Sequence, residues 1–135
     1  MEEFLALSSL LTGLESLRRP DPSSVESRMA RDYLRLMKEQ FGPGFDALLT
    51  IYRSVAGTPD PLKALLQDPR FGGDPVVDTA ARQIVNLWLL SQYSTAGKLP
   101  DQDAGFYEKG FIWPAIGAHP IGFSHLSYGY WSSKP

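Results

Sequence analysis

An all-α fold, a compact helical bundle of about five helices followed by a long irregular C-terminal arm, is predicted by three observations. Apolar residues recur at three- and four-residue intervals as far as Tyr93, which is the period of one helix face. Clusters of Pro, Gly, Asp and Ser interrupt that pattern at helix-length spacing. No alternation of apolar and polar residues persists long enough to make a strand, and no internal repeat is visible. At 135 residues the chain fits one domain, with 1–97 as the bundle and 98–135 as the arm.

The first helix is expected over Glu2 to Thr12, where Phe4, Leu7 and Leu11 share a face, Leu14 extends the spacing, and Glu2 and Glu3 suit the positive end of the helix dipole. Gly13 stops it. Pro20-Asp21-Pro22 makes a turn, and Ser23-Ser24-Val25-Glu26 has the spacing of a capping box. A second helix then runs to about Gln40, with Val25, Met29, Tyr33, Leu36, Met37 and Phe41 inward and Arg28, Arg31, Asp32, Arg35, Lys38 and Glu39 on the wet side.

Gly42-Pro43-Gly44 breaks the chain, and Phe45, Leu48, Leu49, Tyr52 and Val55 define a third helix ending near Gly57. Pro59-Asp60-Pro61 starts a helical turn or two through Leu62, Leu65 and Leu66, which stops before Pro69. Gly72-Gly73-Asp74-Pro75 resets the chain, with Asp74 able to cap and Pro75 suited to the first helical position. The fifth helix carries the widest apolar face, Val77, Ala80, Ala81, Ile84, Val85, Trp88 and Leu89, and is expected at the centre of the bundle.

From Lys98 the Gly and Pro residues come too often for long helices, apart from a brief helical piece expected around Asp103 to Gly110. Gly110 to Ser133 holds no Asp, Glu, Lys or Arg, yet six of the sixteen aromatics lie there: Phe111, Trp113, Phe123, Tyr128, Tyr130 and Trp131. Ordering so long a segment is costly in backbone entropy, so its apolar residues must be buried somewhere. The surface that covers them belongs either to the chain's own helices or to another protein.

Composition excludes several classes of function. A formal net charge of -2 with scattered basic residues gives no footprint for nucleic acid. No apolar run is long enough to cross a bilayer. The absence of cysteine removes disulfides, thiolate nucleophiles and iron–sulfur ligands. His119 and His125 lie six apart in the arm and fit single hydrogen bonds better than a metal pair, and Asp101, Asp103 and Glu108 read as solvated turn and cap residues. A small enzyme built from His119, His125 and Asp101 or Asp103 is the least favoured reading; no catalytic, cofactor-binding or metal-binding residue is assigned. Arg18-Arg19 is followed by Pro20-Asp21-Pro22 where a twin-arginine leader needs an apolar stretch, so the pair is not an export signal as it stands.

The opening Phe4-Leu5-Ala6-Leu7-Ser8-Ser9-Leu10-Leu11-Thr12-Gly13, the Ile84-Val85-Asn86-Leu87-Trp88 segment, the Tyr107-Glu108 region and the closing Gly129-Tyr130-Trp131-Ser132-Ser133-Lys134-Pro135 resemble, in that order, one known family. It is the small (gamma) subunit of membrane-associated FAD-dependent sugar and alcohol dehydrogenases, the FAD-containing D-sorbitol dehydrogenase small-subunit family. The resemblance implies a non-catalytic accessory or chaperone subunit with no cofactor of its own. Its partner would be an FAD-bearing large subunit of the glucose-methanol-choline type, from which a multihaem cytochrome subunit takes electrons.

The residues expected to meet that partner are Trp113, His119, Pro120, Phe123, Tyr128, Tyr130 and Trp131. The family's small subunits carry a twin-arginine leader and accompany the flavoprotein to the periplasm; the expectation here is periplasmic if a leader was removed and cytoplasmic if Met1 is the native start. Some relatives place a cysteine shortly before the Gly-aromatic-Trp ending, and its absence here implies no covalent link to a partner. The alternative, from another class, is a free-standing helical adaptor or immunity-type protein using the same arm.

Overall fold

The computed structural model describes residues 1–90, and among them every regular element is helical. They form α1 (Glu2–Thr12), a 3-10 helix (Glu15–Arg18), α2 (Val25–Val55), α3 (Pro61–Gln67), α4 (Pro69–Gly73) and α5 (Pro75–Leu90). By its contacts the chain divides into two units, Met1–Val85 and Asn86–Pro135, and only the last residues of α5 are described in the second. Among the described residues no helix is long and apolar enough to cross a membrane. The expected helical piece at Asp103 to Gly110 and the aromatic arm lie outside the described residues.

In α1, burial of Phe4, Leu5, Leu7, Ser8 and Ser9 makes one inward stripe, and the helix ends where Gly13 takes a left-handed φ of 76° and its N–H donates to the Ser9 carbonyl. That conformation strains any residue with a Cβ. The chain then makes a single 3-10 turn anchored by the fully buried Leu17.

The expected second and third helices are halves of one long element, α2, bent at Gly42, whose φ of 37° and ψ of -111° are not helical. Gly42-Pro43-Gly44 thus interrupts the helix without separating its halves, because Pro43 stands at the start of the second half and gives up no hydrogen bond the bend had not already removed. The inward residues of the first half are Met29, Ala30, Tyr33 and Met37; those of the second are Phe45, Leu48, Leu49, Ile51 and Val55. Val25, Leu36, Phe41 and Tyr52, expected inward, are only half-buried.

The start of α2 lies one residue later than a capping box from Ser23 to Glu26 requires. Ser24 is the cap, its Oγ accepting the Ser27 N–H at 3.1 Å, while Ser23 turns back to Asp21. The last three helices, α3, α4 and α5, repeat one device. Asp60, Asp68 and Asp74 each stand before a proline, and their carboxylates accept the N–H of Lys63 at 3.1 Å, Arg70 at 2.9 Å and Val76 at 2.9 Å. Each Asp thereby satisfies an orphan donor of the first turn, and each Pro occupies a position whose N–H needs no partner. Helix α4 is not anticipated by the periodicity; its five residues include Gly72 and Gly73, and only Asp68-Pro69 marks its start.

The Met1–Val85 unit is closed by packing between these pieces. Helix α1 lies against the 3-10 helix, α2 and α3, and α2 also meets α3 and α4. Phe4 of α1 meets Phe45 of α2 edge to face, ring centroids 6.0 Å apart and planes at 76°. On α5, Val77, Ala80, Ala81, Gln83 and Ile84, which belong to this unit, are buried, and Leu87 and Trp88, which belong to the second, are fully buried. Val85 and Leu89, expected on the same face, are half-buried.

Candidate functional site

The residues singled out for partner binding, Trp113, His119, Pro120, Phe123, Tyr128, Tyr130 and Trp131, lie outside the described residues, as do His125, Asp101 and Asp103. Within residues 1–85 the structure brings together a different set. A cleft of about 820 Å³ opens where α1, the segment after the 3-10 helix, both ends of α2 and the start of α3 converge. Its volume is in the range of ligand pockets.

Helix α1 supplies Glu2, Ala6 and Leu10, four residues apart on one face, with Leu5 beside them. The burial of Leu17 turns the next residues outward, so that Arg18, Arg19, Pro20 and Pro22 form a wall. That wall is held by hydrogen bonds around Asp21. Its carboxylate accepts from the Ser23 N–H at 2.8 Å and the Ser23 hydroxyl at 2.6 Å, and its carbonyl accepts from the Ser27 hydroxyl at 2.6 Å. The two Ser23 bonds, the hydroxyl foremost, lower the Asp21 pKa below its ordinary value. From the first turns of α2 come Ser27, Ala30 and Arg31, spaced to share a face; from its last turn come Tyr52 and Ala56, and Pro61 of α3 completes the lining.

The floor is aliphatic and the rim cationic. Three arginines, Arg18, Arg19 and Arg31, line the cleft with one acidic residue, Glu2. Arg18 is partly neutralised by Glu15, Nε to Oε2 at 3.3 Å. Arg19 and Arg31 are exposed and make no ion pair or side-chain hydrogen bond among the described residues. Chemically, such a cleft can hold an apolar group from below and an anionic group from above; planar guanidinium forks suit carboxylates in particular.

Two other arginines are engaged outside the cleft. Arg53 of α2 grips Glu3 of α1 with two hydrogen bonds, Nε to Oε1 and Nη2 to Oε2, the latter at 2.8 Å, and this contact raises the arginine's pKa. Arg70 clasps Asp68 through Nε at 3.0 Å and Nη2 at 2.8 Å, and Nη2 also donates to the Ser54 hydroxyl. Hydrogen bonding from Arg70 holds the Asp68 carboxyl at about 2. A smaller hollow of about 400 Å³ beside Arg70 is lined by Ala47, Thr50, Ile51, Gly73, Asp74 and Val77, but its one guanidinium is already committed to Asp68. Among the described residues there is no group of three or more His, Cys, Asp or Glu side chains placed to hold a metal ion.

Sequence periodicity gives no sign of the cleft, because its lining comes from five separate stretches. The Arg18-Arg19 pair is its one local trace. Comparison with known proteins returns no matching family model, no matching curated protein and no matching solved structure.

Proposed function

We propose that this chain is a non-catalytic accessory subunit that binds, stabilises and helps export the FAD-dependent catalytic subunit of a sugar or alcohol dehydrogenase. The observation that carries the reading is the uncharged aromatic stretch from Gly110 to Ser133, bracketed by family-like segments at both ends of the chain. A stretch of that composition gains stability only by burial, and a large flavoprotein offers the area to bury it. The arginine-rimmed cleft of the Met1–Val85 unit supports a binding role, since it presents apolar and cationic groups side by side on one surface.

On this reading the chain contributes no reactive group. Flavin and substrate belong to the large subunit, and electrons leave through a cytochrome subunit, so substrate specificity is a property of the partner's pocket. The arm residues Trp113, His119, Pro120, Phe123, Tyr128, Tyr130 and Trp131 form the main contact, and the complex works in the periplasm.

Co-expression with an FAD-dependent dehydrogenase large subunit from the native host tests the proposal. The two are expected to elute together, and removal of the residues beyond Gly110 is expected to lower the flavoprotein's yield. Separate elution with unchanged yield overturns the reading in favour of a free-standing adaptor or immunity-type protein.

A further inference from the structure

We infer that the cleft beneath Arg19 and Arg31 is the docking site for an acidic, apolar segment of a partner protein. Aliphatic or aromatic side chains of that segment lie on Ala6 and Leu10, and its Asp or Glu carboxylates meet the two guanidinium groups. The inference rests on the binding role proposed above and assigns that role a second surface, distinct from the C-terminal arm.

Charge complementarity carries the assignment. The chain as a whole has a formal charge of -2, yet three arginines against a single glutamate line this cleft. Arginines elsewhere on the described surface are mostly matched: Arg35 with Asp32, Arg53 with Glu3, Arg70 with Asp68 and Arg82 with Asp78. Arg19 and Arg31 have no such partner among the described residues although both border the same hollow. They come from separate segments, and the Asp21 hydrogen bonds with Ser23 and Ser27 hold the first segment against the helix that carries the second. Two arginines carried on segments joined in this way favour paired carboxylates. The aliphatic floor supplies contact area that a phosphate backbone would leave unused. Affinity then comes mainly from the floor, and partner choice and association rate from the arginines.

The absence of cysteine provides the test, because Ala56→Cys at the edge of the cleft places the sole thiol of the full-length chain there for an environment-sensitive dye. The labelled protein is titrated with a synthetic peptide of alternating Leu and Glu, with its Leu-Lys and Ser-Glu counterparts, and with a single-stranded oligodeoxynucleotide. Saturable emission change is expected for the Leu-Glu peptide alone, weakening with added salt and at least fivefold weaker in the Arg19→Ala/Arg31→Ala protein, whose thermal melting should match that of the labelled parent. No response to Leu-Glu, an equal response to Leu-Lys, tighter binding of the oligonucleotide, or indifference to the double substitution overturns the inference. So does an emission change with protein concentration alone, which assigns the cleft to a second copy. Failure here is separable from failure of the accessory role: if the unsubstituted chain co-elutes with the flavoprotein while the labelled protein gives no response to the Leu-Glu peptide, the cleft assignment falls and the accessory role stands. If the unsubstituted chain does not co-elute, the accessory role falls and the peptide titration still decides the cleft.

Discussion

Gly44 and Val76 touch so closely that a Cβ on Gly44 would lie 2.2 Å from Val76 Cγ1 and 3.3 Å from Val76 Cβ. The second half of α2 and the first turn of α5 meet here with no room for a methyl group. A valine in a helix has one strongly preferred rotamer, so rotation offers little escape. Gly44→Ala is therefore expected to destabilise by about 1–3 kcal/mol, as overpacked sites do. Val76→Ala removes the nearer clash, and the Gly44→Ala/Val76→Ala protein should recover part of the loss. Denaturant melts of the four proteins measure the coupling; strictly additive effects would show that the two sites do not share the contact.

The bend in α2 makes opposite demands on two adjacent residues. Nothing lies within 4 Å of a Cβ built on Gly42, so the cost of Gly42→Ala comes from its backbone conformation, at φ 37°, and is expected at about 1–3 kcal/mol. A proline inside an unbroken helix costs about 3 kcal/mol, and its replacement there would stabilise by that amount. At the start of the second half, Pro43→Ala is instead expected to change stability by less than about 1 kcal/mol. A large stabilisation by Pro43→Ala in chemical denaturation would mean that α2 is continuous in solution.

Asp68 makes stability depend on acidity. Its carboxyl is held at about 2 by hydrogen bonds from Arg70, below the ordinary value of 3.8. A group whose folded pKa is depressed protects the native state above its unfolded pKa, and that contribution is lost as pH falls from about 4 toward 2. Asp68→Asn keeps a capping oxygen for the Arg70 N–H but cannot titrate. The melting temperature of the Asp68→Asn protein should fall less steeply between pH 4 and pH 2 than that of the parent, and parallel curves would remove Asp68 from the account.

Phe45, fully buried and edge to face with Phe4, ties α1 to the second half of α2. Phe45→Ala is expected to cost about 3–5 kcal/mol, combining lost burial with a cavity that the surrounding helices fill only in part. A loss below about 1 kcal/mol in denaturant melts would mean that this contact is not part of the core.

Much of the described fold can be read along the chain because its signals are local. Phe4, Leu7 and Gly13 suffice to place α1, and Asp74-Pro75 with Val77, Ala80, Ala81 and Ile84 suffice for α5. Helix α4 escapes periodicity because five residues contain barely one turn, though Asp68-Pro69 repeats the start signal of Asp60-Pro61 and Asp74-Pro75. The cap of α2 shifts from Ser23 to Ser24 because Asp21 competes for Ser23, a choice between two hydroxyls that spacing alone does not settle. The cleft is a meeting of distant segments, in which Arg19 and Arg31 come to line one hollow through the turn at Asp21, so nothing local announces it. The arm residues of the proposed partner contact stand out by composition, as an uncharged aromatic stretch, and lie outside the described residues.

The most direct test of the accessory role is the identity and visible spectrum of whatever co-purifies with the tagged chain from its native host. A larger polypeptide carrying yellow flavin absorbance, with none in the small chain after the two are separated, is the expected result. Bound flavin, bound metal or turnover in the isolated small chain would contradict it.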